Sequence, residues 1–307
     1  MGQIKIGLVG LGKISVDQHV PTIRENPDFD LVGGISPRSS LDELTSYSNL
    51  GALIEATGAT AVAINTPPQV RFVIAKQAIL AGIDVLLEKP PCASVSEILE
   101  LERLAKKCGV TLYTGWHSQH APAVDPARLW LESKTVQTVN LHWAEDVRKW
   151  HPGQKWIWQP GGLGVFDPGI NAFSILTHIL PDRIRLSAAT LELPGNCFTP
   201  IAADLEGDVG AGGRFQARFD FLQTGLQTWT ISIGTNDGVI ELSMGGAELS
   251  INGRPENVGQ SNEYASMYRR FADLIGSGQS AVDCEPLILA ADAFLIGRRV
   301  NVAEFHE

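Results

Sequence analysis

The tetrapeptide Glu88-Lys89-Pro90-Pro91 places a charged pair directly after an apolar run that ends at Leu87. Open α/β sheets bind their ligands at the carboxyl ends of their strands. If the apolar run forms a strand, the charged pair lies at such an end. Each proline fixes its own φ and keeps the residue before it out of the helical region, so Lys89 is held on a rigid extended turn. Lys89 is therefore a candidate for chemistry, although a solvated charge at a strand end gives the same pattern.

Asp167 and Asn171 lie four residues apart at the start of a predicted helix, inside the glycine-rich segment 161–171. This spacing brings both side chains to one face of the helix, at the positive end of its dipole. Asp167 also precedes Pro168, a pair that is typical of an N-cap followed by a proline at the first helical position. Capping alone could explain the aspartate, but capping and catalysis are compatible.

The segment from Trp143 to Trp158 is the part of the chain with the most candidate ligand-binding side chains. It holds four of the seven tryptophans, together with Glu145, Asp146, Arg148, Lys149 and His151. Aromatic rings can stack on the C–H face of a sugar while carboxylate and imidazole groups bond to its hydroxyls. The segment predicts a sugar site; a structural loop around buried indoles is the alternative.

A glycine turn near the N-terminus predicts a dinucleotide site. Gly10-Leu11-Gly12-Lys13-Ile14-Ser15 is a G-x-G-x-x-S variant of the dinucleotide fingerprint and follows the β-branched run 4–9. The two glycines permit a tight turn and close approach of the backbone to a pyrophosphate at the helix N-terminus. The residues predicted to bind the cofactor are Gly10, Gly12, Lys13, Ile14, Ser36, Arg38, Thr66, Pro67, Glu88 and Lys89.

The segment Ser36-Pro37-Arg38-Ser39-Ser40, after the second predicted strand, bears on the choice of cofactor. An acidic residue would be expected here to hold the ribose 2′-hydroxyl of NAD. A guanidinium beside hydroxyls suits the 2′-phosphate of NADP instead. We predict NADP, with NAD also accepted, while a solvated turn that tolerates either cofactor is the alternative.

Two kinds of periodicity divide the chain. Apolar runs alternate with helical segments through the first third, which predicts βαβ units and a parallel sheet. From residue 135 onward, polar and apolar residues alternate in runs such as 138–143 and 215–221, which predicts an antiparallel sheet. Helical patterns return at 263–275 and 286–300. We predict a Rossmann α/β domain over 1–118 and an α+β domain over 119–307.

Composition excludes several classes of protein. The formal net charge of −10 argues against nucleic acid or an anionic membrane as the main partner. No apolar run approaches the length of about 18 residues that a membrane span needs. The four cysteines are scattered, which is typical of reduced thiols in a cytoplasmic protein. We assign no metal site.

Several motifs together carry a resemblance over essentially the whole chain. The glycine turn, Glu88-Lys89-Pro90 and the Gly-Gly-x-Gly-x-x-Asp-x-Gly-x-Asn segment resemble the glucose–fructose oxidoreductase/inositol dehydrogenase family. Other segments are similar to bacterial aldose 1-dehydrogenases that act on L-arabinose or D-galactose. These segments are Asp17-Gln18-His19-Val20-Pro21, Trp116-His117-Ser118, Trp150-His151-Pro152-Gly153-Gln154, Trp156-Ile157-Trp158 and 292–299.

The resemblance implies a Rossmann domain followed by a domain built on a large, open, mainly antiparallel sheet. The outer face of that sheet commonly forms an interface, so a homodimer or tetramer is expected. The resemblance also implies that Lys89 and Asp167 belong to the active site. Many family members carry histidine where this chain has Asn171, whereas asparagine matches the aldose dehydrogenase subgroup.

The implied reaction oxidises a cyclic aldose at C1 to an aldonolactone, with hydride passing to the nicotinamide. We predict that Lys89 and Asp167 handle the proton of the anomeric hydroxyl. The residues predicted to bind the sugar are Glu145, His151, Asn171, His117 and Trp150. An oxidoreductase for another polyol or keto-sugar, and a non-catalytic sugar or dinucleotide sensor, remain alternatives. The sequence does not choose between arabinose and galactose.

Overall fold

We describe a computed structural model of the chain, which covers residues 2–37, 41 and 44–307. Arg38, which the sequence predicts to contact the cofactor, lies outside these described residues. The α-helices are α1 (Val20–Glu25), α2 (Leu50–Thr57), α3 (Pro68–Leu80), α4 (Val95–Cys108), α5 (Val124–Leu131), α6 (Val147–Trp150), α7 (Phe166–Ile179), α8 (Glu263–Ser277) and α9 (Glu285–Ile296). Within the described ranges, no helix is both long enough and apolar enough to cross a bilayer.

The strands fall into two sheets. Those of the first sheet are β1 (Ile4–Val9), β2 (Phe29–Ile35), β3 (Ser46–Tyr47), β4 (Ala61–Ile64), β5 (Asp84–Glu88) and β6 (Leu112–Gly115). Those of the second sheet are β7 (Val136–Ala144), β8 (Ile184–Pro194), β9 (Ala202–Val209), β10 (Gly213–Asp220), β11 (Thr228–Thr235), β12 (Gly238–Ser243), β13 (Glu248–Ile251), β14 (Arg254–Glu256) and β15 (Arg298–Val302).

The first compact unit comprises the residues up to His117 together with Asn262–Cys284. Its six strands pair in parallel in the order β3-β2-β1-β4-β5-β6, which is the doubly wound Rossmann order. Strand β4 is entirely apolar and buried, and the central residues 85–87 of β5 are too, as parallel strands covered by helices should be. The predicted Rossmann domain is confirmed.

Helix α4 shows how local sequence sets the ends of these elements. The Ser94 side chain accepts a hydrogen bond from the Glu97 amide, and the Glu97 carboxylate accepts one from the Ala93 amide. Such reciprocal bonds satisfy amides that have no partner within the helix. The helix ends at Gly109, which adopts the left-handed conformation that glycine allows.

Helix α8 returns to the first unit although it follows the second sheet in the chain. Its apolar stripe of Met267, Phe271 and Leu274 is buried in the same core as Ile6 and Leu8 of β1. The sequence predicts that all residues after 118 belong to the second domain, whereas residues 262–284 lie in the first unit. Periodicity predicts the buried face of a helix but does not identify what covers it.

The second unit comprises Ser118–Ser261 and Glu285–Glu307. Its sheet has the order β14-β13-β12-β11-β7-β10-β9-β8-β15 and is antiparallel except where β7 pairs with β10 and β8 with β15. Helices α5, α7 and α9 pack against it. The predicted α+β domain with a large, mainly antiparallel sheet is confirmed. The helix predicted over 286–300 ends at Ile296, because residues 298–302 form β15 and pair with β8.

Candidate active site

The glycine turn follows β1 as predicted. Gly10 has a φ of +94°, and a Cβ atom built there would lie 2.9 Å from the amide nitrogen of Thr66. Only glycine can adopt this positive φ and lie so near the end of β4, because every other residue carries a Cβ atom. A short π-helical turn, Ser15–His19, follows the glycines and leads into α1.

Ser15, which stands where the fingerprint has its third glycine, is buried and bridges two strand ends. Its hydroxyl donates to the carbonyl oxygen of Gly10 at 2.6 Å and accepts from the side-chain amide of Asn65 at 2.9 Å. The serine thus ties the turn after β1 to the turn after β4. These two bonds explain why a residue with a side chain stands where the fingerprint has its third glycine.

The edge of the first sheet fits a dinucleotide. A Cβ atom at Gly12 would meet open space, as expected where a backbone is to be approached by a pyrophosphate. Among the described residues, the buried Asn65 Oδ1 and Thr66 Oγ1 atoms have no hydrogen-bond partner, so both can serve a polar ligand. These two oxygens and the space at Gly12 are the observations that favour a cofactor here.

The other predicted cofactor residues lie around the same edge of the sheet. Lys13 is 67% exposed and forms an ion pair with Asp17, one turn further along the chain. Ile14 and Pro67 are exposed, and Ser36 is half-buried after β2. Their contacts with the cofactor stay predictions.

Arg71, which the sequence analysis did not select, joins two of the turns at this edge. It is buried on α3, and its guanidinium donates to the carbonyl oxygens of Thr66, Glu88 and Pro90. The planar fork of arginine suits several acceptors at once. One side chain therefore fixes both the turn after β4 and the turn that carries Lys89.

Glu88 is buried, and its carboxylate is surrounded by protein donors. Its Oε2 accepts the Lys89 amide at 2.6 Å, while Oε1 lies 2.6 Å from the Tyr264 hydroxyl and 3.3 Å from Nε2 of His19. Burial disfavours the charged form, but the hydrogen bond and charge of His19, with help from Tyr264, outweigh it and lower the pKa of Glu88 to about 2. Lys89 itself is half-buried.

His117 belongs to the first unit, where it pairs with the start of α8. Its Nδ1 lies 2.6 Å from Oε2 of Glu263, and its ring stacks on Tyr264 with the ring centroids 5.0 Å apart. The predicted role of His117 in binding a sugar stays a prediction.

Asp167 is buried in the first turn of α7 but does not cap the helix. The N-cap residue is Val165, because the helix begins two residues earlier than the Asp-Pro pair predicts, and the capping alternative is therefore wrong. Gly169 brings this turn close to β10, since a Cβ atom there would lie 2.6 Å from the Phe219 ring. Asn171 follows one turn later and is half-buried.

Glu145, directly after β7, is the centre of a hydrogen-bonded group in the second unit. It is buried, its Oε1 lies 3.0 Å from Nε2 of His151, and its Oε2 accepts the indole N–H of Trp229 at 2.8 Å. The structure therefore brings two predicted sugar-binding residues together. It adds Trp229, whose only signal in the sequence was an aromatic residue in an alternating strand.

His151 connects this group to the predicted catalytic aspartate. Its Nδ1 lies 3.6 Å from Oδ2 of Asp167, while its Nε2 faces Glu145. A neutral ring that donates through Nε2 turns an acceptor nitrogen toward the Asp167 carboxylate. Two acceptors would then face each other. A proton on either Nδ1 or Asp167 gives the pair a donor, so the pair can hold one proton at the site.

Four tryptophans of the second unit differ in their exposure to solvent and in their neighbours. Trp143 and Trp158 are buried, as the loop-packing alternative requires. Trp150 is 37% exposed, and its ring centroid lies 4.9 Å from that of Trp229. The rings of Trp150 and Trp229 are thus the aromatic surface beside Glu145.

The predicted site residues therefore form one group in each unit. The first unit holds Lys89, Glu88, His117 and the glycine turn, and the second holds Glu145, His151, Asp167, Asn171 and Trp150. Among the described residues, no group of three or more His, Cys, Asp or Glu side chains is arranged to hold a metal ion.

The chain is similar to known proteins in sequence and in fold. Residues 4–116 match the model of an oxidoreductase family with an NAD-binding Rossmann fold. Over the full length of both chains, the sequence is 44% identical to galactose 1-dehydrogenase from Pseudomonas fluorescens. The crystal structure of D-galactose-1-dehydrogenase from Rhizobium etli matches with a TM-score of 0.95 and 48% identity, covering 100% of this chain and 99% of that one.

A more distant structure matches in fold alone. A 3-ketoreductase from Actinomadura kijaniata, solved with NADP and TDP-benzene, has a TM-score of 0.83 at 16% identity and covers 98% of this chain and 99% of its own. The two sheets and the full-length relative at 44% identity lead to the same assignment. The chain belongs to the glucose–fructose oxidoreductase/inositol dehydrogenase family, whose Rossmann domain binds a nicotinamide cofactor.

Proposed function

We propose that the protein is an NAD(P)-dependent aldose 1-dehydrogenase that oxidises D-galactose, L-arabinose or both at C1. The observation that carries this proposal is the chain of contacts from Trp229 through Glu145 and His151 to Asp167. It puts an aromatic surface, a carboxylate and a proton-holding pair within one unit. The similarity to two galactose dehydrogenases supports the choice of substrate.

Sugar binding falls to the groups around Glu145. Each of its oxygens already accepts one bond, and a carboxylate oxygen can accept a further bond from a sugar hydroxyl. The ring of Trp150 offers a face for the C–H groups of the sugar. The Asn171 amide can bond to a hydroxyl without titrating, which suits a group that only orients the substrate.

Oxidation at C1 releases a proton from the anomeric hydroxyl as hydride leaves the carbon. When bound, the nicotinamide supplies the hydride acceptor. Asp167 takes the proton, and His151 at 3.6 Å stabilises the carboxylate or passes the proton on. Lys89 stabilises the negative charge that develops on the oxygen, or accepts the proton itself. The product is the aldonolactone.

We further propose that NADP is the preferred cofactor, with NAD also used, and that the protein is a cytoplasmic homo-oligomer. The sequence around Ser36 supports NADP, because it lacks the acidic residue that NAD enzymes use there. The family resemblance supports self-association through the outer face of the second sheet. All four cysteines are free thiols, which supports the cytoplasmic location.

A panel of aldoses, polyols and keto-sugars, assayed with NADP and with NAD, tests the proposal. We expect NADPH formation at 340 nm with D-galactose and L-arabinose, and an aldonolactone as the product. Turnover confined to polyols or keto-sugars would assign the protein to another activity of the same family. Binding of sugar or dinucleotide without turnover of any substrate would identify a sensor instead.

A further inference from the structure

Helix α8 places two tyrosine hydroxyls, one turn apart, beside the Glu88-Lys89 turn of the first unit. Tyr264 donates to Oε1 of Glu88 at 2.6 Å. Tyr268 lies 2.6 Å from Nδ1 of His19, whose Nε2 lies 3.3 Å from the same Glu88 oxygen. Three chain segments that are distant in sequence therefore meet at one carboxylate.

All four side chains of this network, Glu88, His19, Tyr264 and Tyr268, are buried. His19 joins the two halves of the network, because its Nδ1 faces the Tyr268 hydroxyl and its Nε2 can donate to Glu88. The second oxygen of Glu88 accepts the Lys89 amide at 2.6 Å. The ionised carboxylate thus receives three donors, and one of them is the backbone of the predicted catalytic lysine.

We propose that Glu88 is a positioning residue, held in place by Tyr264 and by His19 with Tyr268, that sets the backbone of Lys89 for proton handling. The inference rests on the proposed function, because it takes Lys89 as a catalytic group. It also assigns a catalytic purpose to α8, which belongs to the Rossmann unit although it follows most strands of the second sheet in the chain.

The surroundings of Glu88 favour positioning over simple packing. A buried carboxylate costs free energy that an apolar side chain of similar size would not. Arg71 holds the carbonyl oxygen of Glu88, so the side chain is not needed to anchor that carbonyl. What the carboxylate adds is a fixed acceptor for the amide of Lys89, the residue that follows it.

Two substitutions test the proposal, Tyr264→Phe and Glu88→Gln. Tyr264→Phe removes one oxygen and keeps the ring that stacks on His117. We expect kcat to fall about tenfold for Tyr264→Phe and about 100-fold for Glu88→Gln, since each loses a bond to a charged group. The KM for D-galactose should change by less than about twofold in both variants, because neither change removes a predicted sugar-binding group. The Kd for NADPH, measured by fluorescence, should change by less than about twofold in Tyr264→Phe, because Tyr264 is not a predicted cofactor-binding residue.

Tyr113→Phe is the matched control, because it removes the hydroxyl of another buried tyrosine in the same core. Unchanged kcat in folded Tyr264→Phe and Glu88→Gln enzymes, with only a lower melting temperature, would show that the network is structural and would overturn the proposal. Should Glu88→Gln fail to fold, Tyr264→Phe alone decides the matter.

A second measurement does not depend on turnover. Acetylation of Lys89 by acetic anhydride is followed by mass spectrometry, with the exposed Lys107 as the internal reference. We expect the ratio of the two rates to change at least about twofold in both variants, because the Lys89 backbone has shifted. An unchanged ratio together with unchanged kcat refutes the positioning role. Absence of turnover in the wild-type protein with a changed ratio would refute the proposed function alone.

Discussion

The indole N–H of Trp229 donates to Oε2 of Glu145 over 2.8 Å, across 84 positions of sequence. Trp229 lies on β11, and Glu145 follows β7, the strand that pairs with β11. The bond fixes one oxygen of a buried carboxylate whose other oxygen faces His151. Glu145 is therefore held both by a residue of the neighbouring strand and by His151 of the segment that follows it.

Trp229→Phe should weaken sugar oxidation without unfolding the second unit. Phenylalanine keeps an aromatic face beside Trp150 but removes the only N–H that the indole offers to Glu145. A hydrogen bond to a charged group contributes about 1.5–3 kcal/mol, so kcat/KM for D-galactose should fall roughly 10- to 100-fold. Trp130→Phe, which alters a tryptophan that contacts Lys134, is the control and should keep wild-type kinetics. Equal kinetics in both variants would contradict the role of Trp229.

Local sequence was sufficient for most of the fold. Runs such as 4–9 and 61–64 contain enough β-branched or apolar residues to be strands, and the alternation after residue 135 identified the second sheet. The helix predicted over 263–275 is α8, but its place in the first unit depends on long-range packing that periodicity does not report.

The same limit applies to the candidate site. Lys89, Asp167, Glu145 and His151 stood out because each lies in a dense local motif. Trp229 and Arg71 did not, since a tryptophan in an alternating strand and an arginine in a helix are ordinary locally. Their partners lie in other segments, and only the folded chain brings those segments together.

Lys89→Ala and Asp167→Asn should each lower the rate of hydride transfer while leaving the cofactor bound. A positioned group that moves a proton in the transition state typically contributes about 10²–10⁴-fold. We expect single-turnover rates with D-galactose at saturating NADP to fall by a factor within that range. The Kd for NADPH of Asp167→Asn should stay near the wild-type value, because Asp167 is not a predicted cofactor-binding residue. Lys107→Ala, which alters an exposed lysine at the end of α4, should match wild type. Near-wild-type rates in both Lys89→Ala and Asp167→Asn would exclude them as the proton-handling pair.

Arg71→Met should destabilise the first unit and weaken cofactor binding together. The change leaves the carbonyl oxygens of Thr66, Glu88 and Pro90 without their shared donor, and each such buried group costs about 1–3 kcal/mol. We expect a lower melting temperature and a higher Kd for NADPH. Arg103→Met removes an exposed arginine of α4 and should leave the melting temperature close to that of wild type. Equal effects of the two substitutions would show that Arg71 does not organise these turns.

Glu88 should make stability depend on pH in acid. Its pKa in the folded protein is about 2, below the usual 4.5, because donors from His19 and Tyr264 outweigh burial. The unfolded chain thus binds the proton more tightly, and the stabilisation by ionised Glu88 is complete above about pH 5 and lost as pH falls toward 2. Between these limits the contribution of Glu88 to the free energy of unfolding falls by about 3 kcal/mol, since each pKa unit corresponds to about 1.4 kcal/mol.

Urea unfolding of wild type and Glu88→Gln at pH 7, 5, 4 and 3 measures this dependence. Glutamine cannot ionise, whereas every other carboxylate titrates in both proteins, so the difference between their free energies of unfolding isolates Glu88. We expect wild type to be the more stable at pH 7 and 5, and its advantage to shrink steadily at pH 4 and 3. A difference that stays constant from pH 7 to 3 would mean that Glu88 has the same pKa in the folded and unfolded chains, and that His19 and Tyr264 do not stabilise its charge.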